Sequence, residues 1–242
     1  VRKESGSSSN AENGDFYGVN AAVLALNGAG VTIVNADISS DAQNGNGVFS
    51  YGSGTVVEIS DSTITTNADN SGGIQTTGGG TTIASNLTVE TQGNSSAAIR
   101  SDRGGGTVNV NGGYYSTSGT GSPVIYSTAD ITVSDAEMVS TASQGVVVEG
   151  KNSVTLNNVT LTADNNKKNS DKSSYYQAVM IYQSMSGDAA QGLSGFTMNG
   201  GSLVNKNGAV FFVNNTATEI NLSNASITNE GDGVFLRAAA AG

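Results

Sequence analysis

A small residue followed by Val or Ile returns at near-regular intervals along the 242-residue chain, and this recurrence restricts the fold more than any other feature. The pairs are Ala22-Val23, Gly47-Val48, Gly73-Ile74, Ala98-Ile99, Pro123-Val124, Gly145-Val146, Ala178-Val179, Ala209-Val210 and Gly233-Val234, at steps of 25, 26, 25, 25, 22, 33, 31 and 24 residues. Two further apolar columns keep pace. One is Ile33, Ile59, Ile83, Val110, Val133, Leu156, Met198 and Leu222; the other is Ile38, Ile64, Val89, Tyr115, Met138, Leu161, Leu203 and Ile227. The step between them is five residues in seven repeats and six in one, from Ile83 to Val89.

A corner residue lies between these two columns in every repeat: Asn35, Asp61, Asn86, Gly112, Asp135, Asn158, Gly200 and Asn224. Asn, Asp and Gly tolerate the left-handed backbone that a one- or two-residue bend demands. The most regular example is Ser-Val-Thr-Leu-Asn-Asn-Val-Thr-Leu at 153–161, where apolar and polar residues alternate on both sides of the corner. Alternation of period two marks strands with one buried face. Three short strands per repeat of about 25 residues cannot bury that face alone, so the repeats must stack as coils. The expected architecture is an all-β, single-domain parallel β-solenoid of about nine coils, a rod roughly 40 Å long at about 4.8 Å per coil.

The expected spans are a partial first coil and a long N-terminal loop over 1–20, the solenoid over 21–237, and a short tail over 238–242. Two insertions, 163–177 and 184–194, flank the single strand around Val179. Extra length in a repeat protein goes to loops on one face, often the binding face. The aromatic pairs Phe16-Tyr17 and Tyr175-Tyr176 are expected to pin the N-terminal loop and the first insertion to the coil. The chain starts without an initiator Met and stops without a cap, so it reads as a piece of a longer protein or as a stacking unit.

Composition narrows the chemistry. There is no Cys and no His, which removes disulfides, thiolate metal sites and histidine-based catalysis. A net charge of −10 argues against nucleic acid and anionic membrane as partners. No stretch approaches the roughly 20 apolar residues of a membrane span.

The strand triplets with their tight Asn-bearing corner resemble the right-handed parallel β-helix of the pectate-lyase-like superfamily. The phrases at 96–104, 123–127 and 146–154 (SAAIRSDRG, PVIYS and VVVEGKNSV) are similar to those of secreted, adhesin-like β-helix proteins of gut Firmicutes. The resemblance implies an extracellular or cell-surface protein. It leaves two outcomes open, a non-catalytic adhesin-like or structural module and a polysaccharide lyase or glycoside hydrolase acting on an acidic polysaccharide.

If the first-column residues point inward, those one and three positions later point out. That outer face is expected to carry Phe49/Tyr51, Arg100/Asp102, Val147/Glu149, Met180/Tyr182 and Phe211/Val213, an apolar and aromatic stripe that wants covering by a loop, a partner or a planar sugar. Candidate binding residues are Arg100, Asp102, Arg103, Glu149, Lys151, Tyr176, Tyr182 and Phe211. No catalytic residue and no resident cofactor is expected. The lyases of the superfamily raise calcium as a weak candidate, but Asp102 and Glu149, two coils and thus roughly 9.6 Å apart, are too widely spaced to share one ion. Expected partners are a polysaccharide, a cell-surface protein or, end to end, a second copy. The Thr-X-Thr pairs at 63–65 and 160–162 also invite an ice-binding reading, which Tyr114, Glu137 and Val204 interrupt.

Overall fold

The computed structural model describes residues 1–6, 10–167 and 176–240. Within them, strands stack in parallel on their counterparts one coil away and form a β-solenoid. Among the described residues, eight coils contribute all three strands, preceded by a lone third strand, Arg2–Lys3, and followed by a lone first strand, Leu236–Ala239. The first strands of all coils make one nine-stranded sheet, and the second and third strands share the other. No helix among the described residues is long and apolar enough to cross a membrane.

The corners behave as their residue types demand. Asn35, Asp61, Asn86, Asp135, Asn158 and Asn224 all have φ between 51 and 54°, and Gly112 and Gly200 sit at 73 and 65°. The corner amides stay within the ladder, with Asn158 N donating to Asn199 O at 2.8 Å and Asp135 N to Asn157 O at 2.9 Å. Corner side chains also bridge coils: Asn158 Nδ2 donates to Asp135 Oδ1 and Asn86 Nδ2 to Asp61 Oδ1, each at 2.8 Å. In two coils one strand runs through the corner, Gly80–Thr91 and Gly106–Thr117.

Inside, like stacks on like. Ile38, Ile64, Val89, Tyr115, Met138, Leu161 and Leu203 form one buried ladder. Tyr115 fits because its hydroxyl reaches the corner carbonyl of Gly112 at 2.9 Å.

Register departs from the sequence reading in four places. Ala84, not Ile83, pairs with Ile59 and Val110, which restores a step of five residues to the third column in that coil too. Ile83 is exposed, and Thr82 turns inward to hydrogen-bond Thr76 across 2.7 Å. In the first column Ile125 replaces Val124, Phe211 replaces Val210 and Leu236 replaces Val234. Because strands alternate faces, a one-residue slip exchanges inside and outside. Ser127 and Phe211 are therefore interior residues, whereas Tyr126 and Phe212 stand on the outer face.

The N-terminal segment is also more ordered than a loop. Residues Ala11–Tyr17 are helical, with the Asn10 side chain accepting from Glu12 N and Gly18 closing the last turn at φ 71°. This helix lies across the outer side of the first-strand sheet. Gln75 Nε2 donates to Asp15 O at 3.1 Å, Thr77 Oγ1 to Phe16 O at 2.7 Å, and Asn44 Nδ2 to Asp15 Oδ1 at 2.6 Å. Tyr17 meets Tyr51 edge to face with ring centroids 5.4 Å apart. Phe16 and Tyr17 thus pin the segment as expected, while Tyr175 lies outside the described residues.

Candidate functional site

The outer side of the first-strand sheet carries two rows of side chains. One row reads Leu24, Phe49, Gln75, Arg100, Tyr126, Val147, Met180 and Phe212; the other reads Leu26, Tyr51, Thr77, Asp102, Thr128, Glu149 and Tyr182. The helix covers the first coils. Farther along, Val147, Met180, Tyr182 and Phe212 make a small buried apolar cluster of their own, with Tyr126 against its edge. Between helix and cluster the face opens into a cavity of about 340 Å³. Its floor is Arg100, Asp102, Tyr126, Glu149 and Tyr182, and its rim includes Phe16 from the helix and Ser184, Ser186 and Asp188 from the second insertion.

Two charged arrangements share the floor. Arg100 donates through a terminal nitrogen to Asp102 Oδ2 at 2.7 Å, and its guanidinium carbon lies 5.7 Å from the Tyr126 ring centre. The pair lies within one coil, Arg100 in the strand Ile99–Ser101 and Asp102 directly after it, not between neighbouring coils. One coil farther on, Tyr126 Oη donates to Glu149 Oε2, and Tyr182 Oη reaches the same oxygen at 3.3 Å while standing 3.0 Å from Tyr126 Oη. Burial and the negative charges of Glu149 and Asp102 hold both phenols protonated well above the usual tyrosine range, so they remain donors. Glu149 itself is only 3% exposed, and its second oxygen, Oε1, is buried with no hydrogen-bond partner.

The walls are locked from outside by Arg103. Its Nε donates to Asp188 Oδ1 at 2.9 Å, a terminal nitrogen donates to Glu12 Oε1 at 3.2 Å, and its guanidinium carbon sits 3.9 Å from the Phe16 ring centre. The helix and the second insertion are thereby joined through one side chain.

Of the eight residues singled out in the sequence, four line the cavity: Arg100, Asp102, Glu149 and Tyr182. Arg103 fastens its walls. Lys151 is exposed and lies on a neighbouring depression beside Asn152 and Asp188. Tyr176 is half-buried at the start of its strand, where its carbonyl accepts from Ala209 N at 2.9 Å. Phe211 cannot contact a ligand, because it is 1% exposed inside the solenoid and packs edge to face against Phe196 at 5.5 Å. Sequence reasoning missed Tyr126, although a signal was present: ten residues separate the third column from the first at Ile38–Val48, Ile64–Ile74 and Val89–Ile99, and ten from Tyr115 is Ile125.

Among the described residues, no three carboxylates converge as a metal site. No family model matches the sequence, and no curated protein or solved structure is significantly similar to it. What is shown is therefore the parallel β-solenoid itself, with no family beyond it.

Proposed function

We propose that the chain is a non-catalytic, extracellular glycan-binding β-helix whose sugar subsite is the cavity between the N-terminal helix and the second insertion. One observation carries this reading: on the cavity floor the aromatic groups Tyr126 and Tyr182 stand beside three charged side chains whose lone pairs and N–H groups match sugar hydroxyls. A sugar ring presents an apolar face and a rim of hydroxyls, and sites that take such ligands combine flat side chains with a few fixed polar groups. Arg100 already pairs with Asp102 at 2.7 Å, which fixes their geometry before a ligand arrives and lowers the ordering cost of binding, while its buried Nε has no hydrogen-bond partner. The resemblance to adhesin-like β-helices, unsupported by any matched relative, points the same way.

A panel of immobilised oligosaccharides tests the proposal, with Ser186→Trp as the cavity-blocking control on an exposed rim position. Retention of particular glycans by the native chain and their loss in Ser186→Trp is the expected result. A panel without hits, or hits unaffected by the blocked cavity, overturns the reading. A glycosidase reading draws on a separate fact, that two buried carboxylates, Asp102 and Glu149, line one cavity. Release of reducing ends from any retained glycan, abolished in Asp102→Asn, would replace binding by hydrolysis.

A further inference from the structure

The charges around the cavity do not balance. Arg100 is held by Asp102 at 2.7 Å and Asp188 by Arg103 at 2.9 Å, so those four charges cancel in pairs. Glu149 has no Lys or Arg within ion-pairing distance among the described residues. It is nonetheless buried, and only one of its oxygens receives hydrogen bonds, both from tyrosine hydroxyls. A buried carboxylate without a cation is costly, and a ligand that brings the cation recovers that cost on binding. The Tyr126 and Tyr182 rings border the same space, and aromatic rings attract positive charge electrostatically; Tyr126 already has the Arg100 guanidinium 5.7 Å from its centre. Asp15 adds negative charge from the helix side, hydrogen-bonded to Asn44 and electrostatically coupled to Asp102 and Arg100.

We infer that the ligand of this cavity carries a free ammonium group: an amino sugar, bound with its amine beside Glu149 and the two tyrosines. The inference rests on the glycan-binding reading and narrows it. The same field excludes uronates and sulfated sugars, whose anions would meet Glu149 with only the already paired Arg100 to offset it. An acetylated amine loses the charge and with it the preference.

Calorimetry with three oligosaccharide sets of equal length tests this: glucosamine oligomers, their N-acetylated forms, and oligogalacturonate. The expected result is at least tenfold tighter binding of the free amine than of the N-acetyl form, no binding of the uronate, and loss of the amine preference in Glu149→Gln. Because a chain of net charge −10 attracts any polycation, Ser186→Trp is measured beside it; amine preference that persists in both variants is surface attraction and overturns the inference. Should Glu149→Gln fail to fold, Ser186→Trp decides alone, since it leaves the buried hydrogen bonds intact. Equal or tighter binding of the N-acetyl form or the uronate overturns the amine inference while leaving a sugar subsite. Failure of all three sets, with other sugars retained on the panel, likewise removes the amine alone. Failure of every sugar removes both readings. A lysine-rich peptide that binds where glucosamine oligomers do not would assign the cavity to a protein partner and overturn the inference too.

Discussion

The Arg103 guanidinium stacks 3.9 Å from the centre of the Phe16 ring, and through that contact a helix near the N-terminus meets a loop more than 160 residues later. The same side chain donates to Glu12 on the helix and to Asp188 on the insertion. Arg103→Ala is therefore expected to loosen both walls at once. The groups are partly exposed, so the loss in global stability should be small, about 1–2 kcal/mol, the scale of two partly exposed ion pairs with one cation–π contact. Limited proteolysis is the sensitive readout: cleavage near residues 10–18 and 184–190 should accelerate together. Acceleration at one segment only would mean that the walls are held independently.

Phe211 separates core from site. Truncation to Ala removes a ring packed against Phe196 and Phe235, and an unfilled aromatic cavity costs about 3–5 kcal/mol. Urea unfolding of Phe211→Ala should show that loss, while the fraction still folded keeps its ligand affinity. An affinity change at unchanged stability would put Phe211 on the binding surface.

The corners carry a backbone requirement. At Asn158, φ is 53°, a conformation that costs an ordinary L-residue roughly 1–2 kcal/mol and glycine little. Asn158→Val should therefore destabilise by at least that amount, and Asn158→Gly by less than about 1 kcal/mol. Similar losses for the two variants would shift the origin from backbone strain to the lost hydrogen bond with Asp135.

Three tyrosines among the described residues are held protonated. Burial raises Tyr115, and burial together with neighbouring negative charge raises Tyr126 and Tyr182. A raised folded-state pKa means that the native chain binds more protons than the unfolded one above about pH 10, where free tyrosine ionises. Stability should be insensitive to these groups below pH 10 and fall as the pH rises beyond it. Absorbance at 295 nm should show a late-titrating fraction that merges with the rest in urea, and Tyr126→Phe should shrink that fraction by one phenol. A single transition near pH 10 for all tyrosines would contradict their burial.

The sequence made the coil readable because its constraints are local. A left-handed corner admits few residue types, and the alternation on either side of it points one face inward. Register was less legible wherever two apolar residues adjoin, as in Val124-Ile125 and Val210-Phe211, since either can fill the core and only the loop length decides. That ambiguity hid Tyr126 and misplaced Phe211. The helix Ala11–Tyr17 escaped because seven residues with one capping Asn carry little periodicity. The partners of Arg103, 85 and 91 residues away, follow from how the covering segments fold back over the sheet, which no local pattern encodes.

The most direct test of the central claim is a crystal structure of the protein with a retained oligosaccharide. The expected result is a sugar ring in the cavity against Tyr126 and Tyr182, in contact with the Glu149 or Arg100–Asp102 groups. A sugar bound on the second- or third-strand faces, with the cavity empty, would contradict it.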